Sequence, residues 1–135
     1  MIYAVIDTNV LVSALFTRKP DSATTKVVEF IVTGRITPLY NNEIMAEYQE
    51  VLSRDYFHIA ENERNILFNH IRKKGVAAER VSIDSLFIDE SDRVFYEVAL
   101  SEEDSFLVTG NLKHFPADTR VVTPAQMLQI IEEQQ

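Results

Sequence analysis

The chain opens on an unbroken apolar run, Ile2 to Ile6, rich in β-branched residues, and meets its first acid only at Asp7. A run without polar alternation predicts a strand buried on both faces, as at the centre of a parallel sheet. From Ser22 to Thr33 the pattern changes period: Val27, Val28, Ile31 and Val32 recur at helical spacing, and Gly34 follows where a helix would stop. Ile36 to Tyr40 reads as a short strand, with Pro38 favouring a strand end or an edge. Asn42 to Arg54 predicts a helix with Ile44, Tyr48, Val51 and Leu52 as its apolar stripe and Glu43 and Glu50 turned away. A further helix is expected over Glu61 to Lys74, with Ile66, Leu67, His70 and Ile71 inward and Gly75 as its stop.

Arg80 to Ile83 has the pattern of a strand. Asp92 stands where an N-cap would start a helix carrying Val94, Phe95, Val98 and Ala99. Ser105 to Thr109 predicts a fourth strand and Thr119 to Val122 a fifth. The last helix is announced by Thr123 as cap, Pro124 at the first helical position and Gln126 completing a capping box. Strands and helices alternate throughout, which predicts an α/β fold with a mainly parallel sheet of about five strands and helices on both faces. Residues 1–135 show no repeat, linker or low-complexity stretch and are expected to form a single domain.

Composition adds exclusions. With 135 residues, 46% hydrophobic and 25% charged, the chain is of ordinary globular balance. It has no cysteine, hence no disulfide framework, thiolate nucleophile or Cys-ligated zinc. No apolar run is long enough to suggest a membrane span, and no basic leader precedes the first strand, so a cytoplasmic protein is expected. The net charge of −8 runs against a nucleic-acid partner unless divalent cations bridge carboxylates to phosphate or a basic partner supplies the missing charge.

Ligands of an open parallel sheet bind beyond the carboxyl ends of its strands, so the polar residues there are the candidates for chemistry. Asp7 follows the first strand, Asn111 follows the fourth, and Asp92 opens the helix before it. Glu47 lies at the margin of its helix's apolar stripe, where it can reach a cleft while the helix stays packed. Three carboxylates and an amide converging on a point would form an oxygen-only site, suited to Mg²⁺ or Mn²⁺ rather than zinc. Such a cation lowers the pKa of water and neutralises charge on an attacked phosphate. The sequence offers no competing histidine or serine triad.

The segments Ile6-Asp7-Thr8-Asn9, Ile44-Met45-Ala46-Glu47-Tyr48, Asp89-Glu90-Ser91-Asp92 with the helix after it, and Asp104 through Val108-Thr109-Gly110-Asn111 resemble, in order, the motifs of the PIN domain family. Nearly the whole chain is covered. The resemblance implies a Rossmann-like three-layer α/β/α fold and metal-dependent cleavage of single-stranded RNA. It places the first three acidic positions at Asp7, Glu47 and Asp92, and the fourth, Asp or Asn, at Asn111. Some relatives are acidic near the position of His114. Related sequences often carry Asp just before the fourth strand, which adds Asp104 as a supporting residue. Many bacterial members are toxins of toxin–antitoxin pairs, so a cognate antitoxin is an expected partner, and the middle helical region of family members often forms a dimer surface, implying a homodimer.

Each residue also has a plainer reading. Asp7-Thr8-Asn9 is good turn chemistry, Glu47 lies among solvated glutamates, Asp92 is a natural cap, and Asn after Gly is commonly a turn. Thr8, Asn9 and Thr109 are candidates to support the carboxylates or phosphate, though strand-end threonines commonly satisfy local backbone. Of the three histidines, His70 reads as core, His58 as loop, and His114 alone is expected near the site as a phosphate contact. Asp89 and Glu90 read as solvated loop charges, and Arg72-Lys73-Lys74 as the cationic end of a helix. An aspartyl phosphatase also places Asp after a first strand, but its second Asp, two residues on, is Asn9 here. The remaining rival is a PIN-fold module with weak or no catalysis that binds RNA or a protein.

Overall fold

A computed structural model describes residues 1–134. Five parallel strands lie in the order β3-β2-β1-β4-β5: β1 (Ile2–Ile6), β2 (Ile36–Tyr40), β3 (Val76–Ala77), β4 (Phe106–Val108) and β5 (Val121–Val122). Six α-helices complete a three-layer α/β arrangement: α1 (Thr8–Thr17), α2 (Ala23–Thr33), α3 (Asn42–Leu52), α4 (Glu61–Lys74), α5 (Arg93–Ala99) and α6 (Pro124–Glu133). The unbroken apolar run of β1 has the expected cause: it is the middle strand, and Ala4, Val5 and Ile6 are fully buried, with α5 packed on the strand. α5 packs on β1, β2 and β4, while α2 packs on β2, α1 and α6. Among the described residues no helix is long and apolar enough to cross a membrane.

Several helix ends are set as the residues dictate. Ser22 and Asn41 cap α2 and α3 by accepting from Thr25 N and Ile44 N, and Gly34 closes α2 in the left-handed region at φ 86°. Thr123 and Gln126 form a complete capping box at α6, behind Pro124. α4 begins with Glu61 and Glu63 and ends with Arg72, Lys73 and Lys74, matching its dipole. Gly75 leaves α4 where a Cβ would lie 2.4 Å from the Ile71 carbonyl and 2.6 Å from that of Pro38, so only glycine fits there. Pro38 is tolerated in a strand with neighbours because β3 pairs only with Leu39 and Tyr40, leaving the first part of β2 an edge.

Three sequence expectations are corrected, and one helix is added to them. Thr8 to Thr17 is a helix that the pattern hid: TNVLVSALFT is apolar on most sides and continues the β-branched run of β1 without a breaker. Arg80 to Ile83 is not a strand. Val81 N donates to the Glu97 carbonyl, Ile83 N to the Glu97 carboxylate, and Arg80 forms an ion pair with the same side chain, so α5 rather than a sheet satisfies this segment. Asp92 occupies the N-cap position of α5 but makes no capping bond; Asp89 caps the preceding short 3₁₀ turn by accepting from Ser91 N. Ile66 is 68% exposed, and Leu67, Phe68 and Ile71 form the buried face of α4. His70 is half-buried, with Nε2 3.0 Å from the Ile31 carbonyl, in line with its packed reading.

Candidate active site

Because all strands run the same way, the carboxyl ends of β1 and β4 lie side by side, and the residues after them meet. Asp7 is the buried residue between β1 and α1, its amide donating to the Val108 carbonyl of β4. It holds the N-cap position of α1 yet makes no capping bond. Instead its Oδ2 accepts from Thr109 Oγ1 at 2.7 Å and from Asn9 Nδ2 at 3.3 Å. Asn9 Oδ1 accepts from Gly110 N at 3.2 Å, and Thr109 Oγ1 accepts from Asn111 N at 3.0 Å. Thr109 and Asn9 therefore lace the two strand ends together around one carboxylate. Below it, the buried Tyr48 hydroxyl donates to the Ile6 carbonyl at 2.5 Å, fixing α3 against the end of β1.

That anchor presents Glu47, one position earlier on α3, to the same cleft, where its carboxylate accepts from the Thr8 hydroxyl. Asp92, half-buried at the start of α5, enters from the other side. Its Oδ2 is buried without a hydrogen-bond partner, and His114 Nδ1 lies 3.3 Å from it outside hydrogen-bonding geometry. Oδ2 therefore keeps an unused acceptor. His114 thus faces Asp92, and its side chain, 40% exposed, also lines the cleft. Asp7, Thr8, Asn9, Glu47, Asp92, Asn111 and His114 line one cleft of about 610 Å³. Asp89, Ser91 and Arg54 also line it; Asp89 is exposed, a solvated loop charge as expected, at the rim of the cleft.

Asp104 does not belong to this site. It precedes β4, so it lies at the amino end of the sheet with Met1, Glu103, Asp118 and Arg120, opposite the carboxyl ends where Asp7 and Asn111 stand.

The electrostatics of the cleft are those of crowded, partly dehydrated acids. Burial raises the Asp7 carboxyl to about 6, the Thr109 hydrogen bond opposing and the Asp92 charge adding to the rise. Burial likewise raises Glu47, with the Thr8 hydrogen bond opposing, and Asp92, with the neighbouring Asp89 charge adding. Among the described residues no three acidic or histidine side chains already stand as a cation cage. The side chains share a cleft without converging on a point. The donor set nonetheless fits a hard divalent cation: the ligands would be oxygens, one buried carboxylate oxygen lacks a partner, and the acids are raised where a cation would lower them.

The protein-family model of the PIN domain matches residues 3–113, and the chain belongs to that family. PIN domains are in general nucleases and typically depend on divalent metal, so the match supports a nuclease-type hydrolase. No curated protein and no solved structure matches the chain.

Proposed function

We propose that the protein is an endoribonuclease that hydrolyses RNA phosphodiester bonds with Mg²⁺ or Mn²⁺ held by Asp7, Glu47, Asp92 and Asn111. The observation that supports it most is one cleft, at the carboxyl ends of β1 and β4, lined by three carboxylates with raised proton affinity and an amide. The cation, when bound, offsets charge on the phosphate and acidifies water there. The chain's own residues do the rest. Thr109 and Asn9 orient the Asp7 carboxylate, Thr8 orients Glu47, and Tyr48 fixes the helix that carries Glu47. His114 Nδ1 stands 3.3 Å from the Asp92 carboxylate, on the same cleft. The test is a labelled single-stranded RNA incubated with the protein and either Mn²⁺ or EDTA: cutting with the metal and none with EDTA is the expected result.

The biological setting we propose is the toxin of a toxin–antitoxin pair, acting in the cytoplasm as a homodimer and neutralised by a cognate antitoxin. Induced expression would then arrest growth of a bacterial host, and Asp7→Asn would not. Light scattering at micromolar concentration checks the dimer. The rival reading, a PIN-fold module binding RNA or a protein without cutting, draws on the net charge of −8 and the lack of a ready three-acid cage among the described residues. It predicts RNA or partner binding with no metal-dependent cleavage.

A further inference from the structure

The cleft that holds the acids extends well beyond them. Thr8, Val12 and Phe16 recur every four residues along α1 and line one wall; Glu47, Val51 and Arg54, along α3 and just past its end, line the other. Side chains at that spacing return to one helix face, so the groove runs from Asp7 roughly 12 Å along α1 to Phe16. There Phe16 meets Tyr56 and Phe57 of the 3₁₀ turn Asp55–Phe57, with ring centroids 5.7 Å and 5.4 Å away, and Tyr56 and Phe57 are 5.4 Å apart. Phe16 is 42% exposed and Tyr56 73% exposed. Three clustered rings normally serve a core, yet here two of them keep much of their surface in solvent, at the end of a groove that starts at a candidate phosphate site. Beside them Arg54 is paired with Glu50 at 2.8 Å, both side chains more than half exposed. An exposed pair of this kind is worth little and exchanges readily for a phosphate.

From this continuity we infer that Phe16, Tyr56 and Phe57 form a subsite for an unpaired nucleobase of the strand being cut, with Arg54 on an adjoining phosphate. The inference rests on the nuclease reading of the acidic end of the groove. Aromatic rings bind bases by their π-faces, which are hidden within a duplex. The substrate is therefore single-stranded at this nucleotide, or has the base swung out of its stack. Stacking is tolerant of sequence, so the subsite sets strandedness and the position of the cut relative to a base rather than a sequence motif.

The test compares two fluorescein-labelled probes by anisotropy: a short oligouridylate, and a chain of the same length with abasic riboses. The parent protein is Asp7→Asn with Mg²⁺, so that no cutting intrudes. With the aromatic cluster intact, the oligouridylate binds about tenfold tighter than the abasic chain. In Tyr56→Ala and in Phe16→Ala that ratio falls to within about twofold, while Tyr56→Phe retains it. Tyr56 is exposed enough that its substitution leaves the fold intact, and circular dichroism of each variant confirms this. A ratio unchanged in Tyr56→Ala and Phe16→Ala, in a protein whose wild type cuts RNA, overturns the subsite alone. Binding of neither probe, with no cutting by wild type, overturns the subsite and the nuclease reading together.

Discussion

Thr109 Oγ1 donates to Asp7 Oδ2 at 2.7 Å, joining residues 102 positions apart across the ends of two neighbouring strands. The same hydroxyl accepts from Asn111 N at 3.0 Å, so one oxygen orients the first acid of the site and the turn that carries its amide. Thr109→Val keeps the shape and removes both bonds. It is expected to cost about 1–3 kcal/mol of stability, because buried partners are left without a hydrogen bond. It also raises the Asp7 carboxyl further, since that bond is the main influence holding it down. Chemical denaturation and a ¹³C titration of the Asp7 carboxyl check the two effects.

Asp7 should destabilise the metal-free protein at neutral pH. Its carboxyl rises from about 3.8 to about 6 on folding, so between those values the native state binds more protons than the unfolded chain. Stability contributed by this group therefore grows as pH falls from 6 towards 4, and is lost as pH rises through 6. At pH 7 the penalty is on the order of 1–3 kcal/mol. Asp7→Asn, which keeps an acceptor for Thr109, is expected to unfold at a higher temperature than wild type in EDTA. A lower melting temperature would mean that the aspartate is a structural residue rather than one held at a cost for function.

Glu97 behaves in the opposite way. It is buried within α5 and takes Arg80 at 2.7 Å, Ile83 N at 3.1 Å and Arg93 at 3.7 Å. Burial works against its charge, but these partners outweigh it and hold its carboxyl below the usual range. Its stabilisation is thus present at neutral pH and lost as pH falls through that lowered value. Glu97→Ala removes the buried acceptor shared by Arg80 and Ile83 N, leaving Arg80 on Glu43 and Arg93 on Glu90, and frees the chain around Arg80 to Ile83. A loss of about 1–3 kcal/mol is expected, measurable by urea unfolding.

Gly75→Ala places a methyl carbon within 2.4 and 2.6 Å of two backbone carbonyls, neither of which is a flexible group. A loss of at least about 2 kcal/mol is expected, with β3 displaced from β2. Hydrogen exchange at Ala78 N, which donates to the Tyr40 carbonyl beside that pairing, reads the displacement directly.

The fold was legible where side chains carry a period or a breaker. The lone apolar run of β1, the Thr123-Pro124-Gln126 cap and the charged ends of α4 each announce their element. It was illegible where one physical role wore the pattern of another. α1 is apolar on most sides and extends the run of β1, so neither period stands out. Arg80 to Ile83 alternates as a strand would, although a buried glutamate on α5 takes up its polar groups. Asp7, Glu47 and Asp92 could be placed in one cleft because parallel topology puts strand ends together. The partners that orient them, Tyr48 beneath and His114 beside, depend on the packing of α3 and on the turn after β4, which no local pattern encodes. Asp104 shows the converse error: an acid near β4 in sequence lies at the wrong end of the strand in space.

Whether the Asp7 cleft cuts RNA with a divalent cation is read from the rates at which wild type and Asp7→Asn cleave the same labelled single-stranded RNA in Mn²⁺. Wild type is expected to cut, with EDTA abolishing the activity, and a folded Asp7→Asn to cut at least about a hundredfold more slowly. Equal rates for the two proteins, or cutting that survives EDTA, would contradict the nuclease reading.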